Sequence, residues 1–252
     1  MQSSKTNRVR DQLSQRLLAL YHMVDKDTRF CDVGCDHGYL SIALVQDEIC
    51  PEALAMDLRP GPLERAREHI AQAGLEDKIQ TRLSDGIVKL EEDEADTVLI
   101  SGMGGGVICH ILSADEKKTK SIPSLILGPQ SQLEMVRSYL MEGGYELISE
   151  NMVEEDGKYY PMLKVSYRGE SAIASWQIPG REDLQKAALM FGPGLLKQRH
   201  PVLRAYLLYR KRVVSSILDQ LPADAAGERR EEVQSELALL QQALSMYERK
   251  QE

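Results

Sequence analysis

Apolar residues open the chain at helical spacing. Val9, Leu13, Leu17, Leu20 and Val24 share one face of residues 8–24, with arginines elsewhere on the cylinder, which predicts an amphipathic helix. The pattern then alternates. RFCDVG (29–34) and PEALAMDL (51–58) read as strands. Each precedes a helical stretch, GYLSIALVQDE (38–48) and GPLERAREHIAQAGL (61–75), the second opened by Pro62 and closed near Gly74. IQTRLSDG (79–86), a helix-like link, ADTVLISGMGG (95–105), GVICHILSAD (106–115), SLILGPQ (124–130) and SQLEMVRSYLMEGGY (131–145) continue the series. Such a succession predicts a parallel sheet with helices on both faces.

Two features end that pattern. YELISENMVEEDGKYYPMLKVSYRG (145–169) holds two extended stretches around Asp156–Gly157 with no helix between them, which is a hairpin signature. A parallel sheet that finishes with an antiparallel strand is the arrangement of class I methyltransferases, a Rossmann-like α/β fold, rather than of dehydrogenase domains. Beyond about residue 172 the spacing is helical. Leu203, Leu207, Arg210, Val214, Ile217 and Leu221 step by four and three, as do Val233, Leu237, Leu240, Leu244 and Tyr247, with PADAAGE between the two runs. They predict an antiparallel, coiled-coil-like helical hairpin. The expected division is an α/β domain at 1–170 and a helical domain at 171–252.

Composition narrows the setting. A chain of 252 residues, 42% of them hydrophobic, can bury a full core. No apolar run approaches the length of a membrane span, and MQSSKTNRVRDQ lacks the apolar segment of a signal peptide. Cys31, Cys35, Cys50 and Cys109 are too irregularly spaced for a disulfide framework, so the reduced cytoplasm is the expected compartment. The net charge of −8 argues against a chain coated in nucleic acid, but it hides an asymmetry. EEDEAD (91–96) is acidic, whereas 184–218 carries Lys186, Lys197, Arg199, Arg204, Arg210, Lys211 and Arg212 and no carboxylate. A polyphosphate requires such a local basic face, because attraction is screened beyond about 8–10 Å at physiological salt. A solvated helix face accounts for the same residues.

Ligands of a doubly wound sheet bind at the carboxyl ends of its strands. Four junctions there are polar or glycine-rich. Asp32-Val33-Gly34-Cys35-Asp36-His37-Gly38 follows the first strand, Asp57 ends the second, Ser84-Asp85-Gly86 follows the third, and Ser101-Gly102-Met103-Gly104-Gly105-Gly106 follows the fourth. Asp57 stands where an acidic side chain accepts hydrogen bonds from ribose hydroxyls. The chain has no G-x-x-x-x-G-K-[ST], which excludes a P-loop. Cys31, Cys35, Asp36 and His37 lack a second Cys/His pair at zinc spacing, so no metal is expected, and nothing fixes a base beside a nucleophilic cysteine. Asp36 replaces the second glycine of the usual G-x-G-x-G and would aim a carboxylate at the pyrophosphate of NAD. S-adenosylmethionine has no phosphate, and a carboxylate favours its sulfonium and ammonium. Asp36 as a plain helix N-cap fits equally.

Taken together, DVGCDHGYL, SGMGG, the GPQ after the fifth strand and EEDGKYY resemble the bacterial tRNA adenine-22 methyltransferase family (TrmK type), which modifies ring nitrogen 1. The resemblance covers residues 12–168 as motifs and the tail as architecture. It implies S-adenosylmethionine as cofactor, tRNA as partner, no membrane, and a monomer or weak dimer. Asp32, Gly34, Asp36, Gly38, Tyr39, Asp57, Leu58, Asp85, Gly86, Ser101 and Gly102 would frame the cofactor, with Asp57 on the ribose and Asp85 accepting from the adenine amine. His37, Met103 and Gln130 would border the target base as the catalytic set. Lys197, Arg199, Arg204, Arg210, Lys211 and Arg212 would grip RNA phosphates. Ring nitrogen 1 of adenine is unprotonated near neutral pH, so alignment and desolvation matter more than a base. His22, His69 and His110, on predicted helices, read as structural or solvated. Two other readings fit the same residues. One is a methyltransferase of another substrate with a dimerising tail; the other is a non-catalytic nucleotide-binding module that holds RNA or protein through its helices.

Overall fold

The computed structural model describes residues 8–221 and 227–248; most of the expected PADAAGE linker, residues 222–226, lies outside them. Strands β1 (Phe30–Val33), β2 (Ala53–Asp57), β3 (Ile79–Leu83), β4 (Thr97–Met103), β5 (Ser124–Pro129), β6 (Tyr145–Glu155) and β7 (Lys158–Tyr167) form one sheet of order β3-β2-β1-β4-β5-β7-β6. The first five pair in parallel, while β7 inserts between β5 and β6 and runs antiparallel to both. This is the class I methyltransferase order that the hairpin announced. Its turn holds positive φ at both Asp156 (52°) and Gly157 (73°), the type I′ geometry that an Asp-Gly pair supplies.

Alternation along the strands builds a core on each face. Phe30, Leu99 and Ile126 pack on one side with α1 (Gln15–Tyr21), α2 (Tyr39–Gln46) and α3 (Pro60–Ala73). Val33, Val98, Ile100, Leu125 and Leu127 pack on the other with α4 (Gly105–Ala114) and α6 (Leu133–Glu142). Between those two helices lies α5 (Glu116–Ser121), capped by the Asp115 side chain and absent from the sequence expectation. The amino-terminal helix expected over 8–24 is broken into a 3-10 turn, Val9–Gln12, and α1. Ser14 is extended and its hydroxyl accepts the Leu17 N–H at 3.4 Å, which starts a new helix. The helix-like link after β3 is a series of turns instead, because Ser84 Oγ bonds the Gly86 carbonyl and the Lys89 N–H.

After a 3-10 segment (Gly169–Trp176) come α7 (Gln185–Phe191), α8 (Pro193–Lys197), α9 (Pro201–Gln220) and α10 (Gly227–Ser245). Tyr247 bonds the His200 carbonyl, Arg210 pairs with Glu236, and Arg230 reaches the Leu221 carbonyl, so the last two helices run antiparallel. Leu203, Leu207, Val214, Val233 and Leu240 are buried between them as the spacing predicted; Ile217 is exposed, and Leu218 packs in its stead.

The segments on either side of residue 170 share cores. Trp176 packs under the sheet and donates its indole N–H to the Tyr145 carbonyl, while Met152 of β6 belongs to the helical core. Buried Arg137 and Glu150 pair at 2.9 Å. Arg137 donates to the Leu189 and Met190 carbonyls, and Glu150 accepts from the Gly194 and Leu195 N–H groups, so this pair fastens the helices to the sheet.

Candidate active site

The carboxyl ends of the parallel strands enclose a cleft of about 490 Å³. Asp32, Gly34, Asp36, His37, Tyr39, Asp57, Leu58, Asp85, Gly86, Ser101, Gly102, Met103 and Gln130 all line it. Gly38 alone of the expected cofactor and base residues stands outside. It begins α2 at φ +70°, with its Cα turned to α3, where an added Cβ would lie 3.2 Å from Ala66 Cβ.

Two glycine-rich turns meet across the cleft. Gly34 (φ +81°) faces Met103, whose Cε would be 2.5 Å from an added Cβ. The β4–β5 register shifts between Ser101 and Met103, a bulge at Gly102 (φ +76°) that re-aims the strand end. Gly105 lets the β4 and β5 loops touch: its N–H donates to the Ser131 carbonyl at 3.1 Å, and a Cβ there would fall 2.6 Å from that oxygen.

Charge in the cleft is unevenly neutralised. Asp57 accepts the Arg59 N–H at 2.8 Å, with the Arg59 guanidinium 3.9 Å away. Asp36 pairs with Arg65 at 3.2 Å and lies 3.5 Å from His37. It does not cap α2, whose N-cap is Gly38 with no side-chain hydrogen bond. Asp32, 5% exposed, has no ion-pair partner among the described residues. Burial, and then the Asp57 charge, push its carboxyl up to about 7. Burial likewise raises the Cys35 thiol well above its ordinary value, helped by Asp32 and Asp57, so it stays protonated and is no nucleophile. Among the described residues no three His, Cys, Asp or Glu side chains group as metal ligands.

At the cleft mouth His37 stacks on Tyr39 (5.5 Å between centroids) and Tyr39 on His69 (4.7 Å), while His69 Nδ1 lies 3.0 Å from the His37 carbonyl oxygen. Ser84 lines the cleft beside Asp85 and Gly86, in the junction expected after the third strand, whereas sequence reasoning did not place Arg16, Val107 or His110 there. His110, read as structural or solvated, is a wall residue; its one available signal is its position four residues after Gly106 at the start of α4.

The basic residues separate. Lys186, Arg199, Arg204 and Arg212 are exposed and Lys211 half-buried. Lys211 and Arg212 border a shallow groove on α9 with Leu208, Ser215, Ser216 and Asp219. Arg210 is held by Glu236 of α10, and Lys197 donates to the Ser175 carbonyl at 2.8 Å.

Residues 13–163 match the family model described as a methyltransferase domain. The tRNA (adenine(22)-N(1))-methyltransferase of Bacillus subtilis is 31% identical over 226 residues, which span 90% of this chain and 92% of that protein. The crystal structure of the B. subtilis tRNA methyltransferase TrmK aligns with a TM-score of 0.80 at 29% identity, covering 92% of this chain and 98% of the other. M. capricolum TrmK in complex with the cofactor product S-adenosyl-homocysteine aligns at 0.78 and 25% identity, covering 94% and 99%. Strand order, cleft and a likeness that runs along nearly the whole of both chains agree: this chain belongs to the methyltransferase-domain family and, within it, to the tRNA (adenine(22)-N(1))-methyltransferases.

Proposed function

We propose that this protein uses S-adenosylmethionine to methylate ring nitrogen 1 of adenine 22 in tRNA, as the family's members do. The observation that carries the cofactor is the buried, unpaired Asp32 in a cleft that also presents Asp36, Asp57 and Asp85. Such a lining repels a pyrophosphate and suits a ligand with a sulfonium and an ammonium. The donor set therefore fits. When bound, S-adenosylmethionine supplies an electrophilic methyl group. Asp57 is assigned to the ribose and Asp85 to the adenine amine, and Gly34 and Gly102 keep Cβ atoms out of the cleft floor. His37, Met103 and Gln130 border the base and exclude water from it. No side chain is needed to deprotonate an adenine ring nitrogen, so orientation is the main work.

A base paired in a tRNA stem has to be extruded to be reached, at a cost of a few kcal/mol. Phosphate contacts by Arg199, Arg204, Lys211 and Arg212 help to offset that, whereas Arg210 is already occupied by Glu236. No described helix is long and apolar enough to cross a membrane. We assign the chain to the cytoplasm, working as a monomer or weak dimer. Labelled methyl transfer to unmodified tRNA tests the reading. Digestion of the product to nucleosides is expected to yield 1-methyladenosine; label in another nucleoside, or none despite cofactor binding, contradicts it.

A further inference from the structure

Arg16, on α1, reaches the cleft from outside the sheet. Its guanidinium carbon lies 5.2 Å from the centroid of the Tyr160 ring. A Cβ added to Gly102 would stand 3.9 Å from Arg16 Nη1 and 3.9 Å from Gln130 Nε2, so the group sits at the end of β4. Its Nε is buried and has no hydrogen-bond partner. Among the described residues no carboxylate pairs with this guanidinium; Glu155 accepts only the Arg16 backbone N–H. A half-buried guanidinium held by an aromatic ring, with an unused donor, is poised for an anion.

The Lys and Arg side chains lining the cleft are two, Arg16 and Arg59. Arg59 stands beside Asp57 at the end of β2, the ribose side. Strands lie ~4.8 Å apart, so with β1 between them the ends of β2 and β4 are ~10 Å apart. The cofactor's amino-acid end carries a carboxylate as well as two cations. In a cleft presenting Asp32, Asp36, Asp57 and Asp85, that carboxylate is repelled unless a cation meets it. We propose that Arg16 is the residue that binds the carboxylate of the cofactor's methionine moiety and thereby fixes which end of the cleft that moiety occupies. The assignment rests on the functional reading above. It adds a residue that no junction motif signalled.

Calorimetric titration of the full-length protein tests it with three ligands: S-adenosylmethionine, its decarboxylated analogue, and 5′-methylthioadenosine, which lacks the amino-acid end. Wild type is expected to prefer S-adenosylmethionine over the decarboxylated form by about 10- to 100-fold, as for a charge-assisted contact. Arg16→Met should erase that preference while leaving 5′-methylthioadenosine affinity unchanged. Equal binding of the first two ligands by wild type overturns the inference, and so does Arg16→Met with its preference intact. If Arg16→Met also loses 5′-methylthioadenosine, Arg16→Gln, which keeps much of the stem over Tyr160, takes its place: a lost preference supports the inference and an intact one overturns it. Wild type that binds no S-adenosylmethionine would overturn the functional reading together with the inference. Unchanged cofactor preference with a raised KM for tRNA would instead assign Arg16 to an RNA phosphate.

Discussion

Burial pushes the Asp32 carboxyl up to about 7, and the Asp57 charge pushes it the same way. An unfolded Asp titrates near 3.9, so between roughly pH 4 and 7 the folded, ligand-free chain holds a proton that the unfolded chain has lost. Its stability therefore falls as pH rises through that window. A bound cation favours the ionised form, so S-adenosylmethionine affinity should rise with pH up to about 7 and then level off. Calorimetry across that range checks this; Asp32→Asn should weaken binding and flatten the profile. A wild-type affinity that does not change with pH contradicts the role. A second residue-scale outcome concerns Gly105, where an added Cβ would fall 2.6 Å from the Ser131 carbonyl and 2.9 Å from that of Gln132. Both are backbone atoms. Gly105→Ala should cost about 1–3 kcal/mol in a denaturant titration and weaken cofactor binding, since the β4 and β5 ends are driven apart. At Gly34 the obstacle is the movable tip of Met103, and the cost lies in the φ of +81°. Both glycines were legible as parts of loops; that one faces backbone and the other a flexible tip was not.

The alternation of strands and helices was legible because burial on two faces leaves long apolar runs at fixed periods. What escaped is local hydrogen bonding that overrides the period. Ser14 restarts a helix, Ser84 holds a turn, and α5 is a six-residue helix whose sequence EKKTKS carries no apolar stripe. The site divides in the same manner. Acids and glycines at strand ends were readable from their junctions, whereas Arg16 and His110 arrive on α1 and α4 through tertiary packing. Nor does spacing reveal the Arg137–Glu150 pair, whose side chains are 1% and 0% exposed. Arg137→Met leaves a buried carboxylate without its counter-charge and should cost about 3–5 kcal/mol, read as a lowered denaturant midpoint. Replacing both partners with apolar residues should recover part of that loss, though the Gly194 and Leu195 N–H groups then lack their acceptor. A single substitution with no change in midpoint would contradict a joint held by this pair.

At the scale of the whole molecule the proposed reading has an acidic protein, net charge −8, hold a polyanion through one local face. Arg204, Lys211 and Arg212 lie on α9 away from Leu203, Leu207 and Val214, which face the helical core. Changing any of these three to Gln should weaken tRNA binding and reduce the slope of log affinity against log salt by about 1. Arg210→Gln should lower stability and leave that slope unchanged, because its guanidinium serves Glu236. Filter binding over a salt series separates the two outcomes; a reduced slope for Arg210→Gln contradicts the assignment. In the proposed reading the helical part presents the RNA and the cleft carries the methyl donor, while the Arg137–Glu150 pair fastens the one to the other. The most direct test of the proposed activity is methyl transfer from labelled S-adenosylmethionine to two otherwise identical unmodified tRNAs, one with adenine at position 22 and one with guanine. Label should enter the first, recovered as 1-methyladenosine, and be absent from the second; equal labelling of both would contradict the proposed activity.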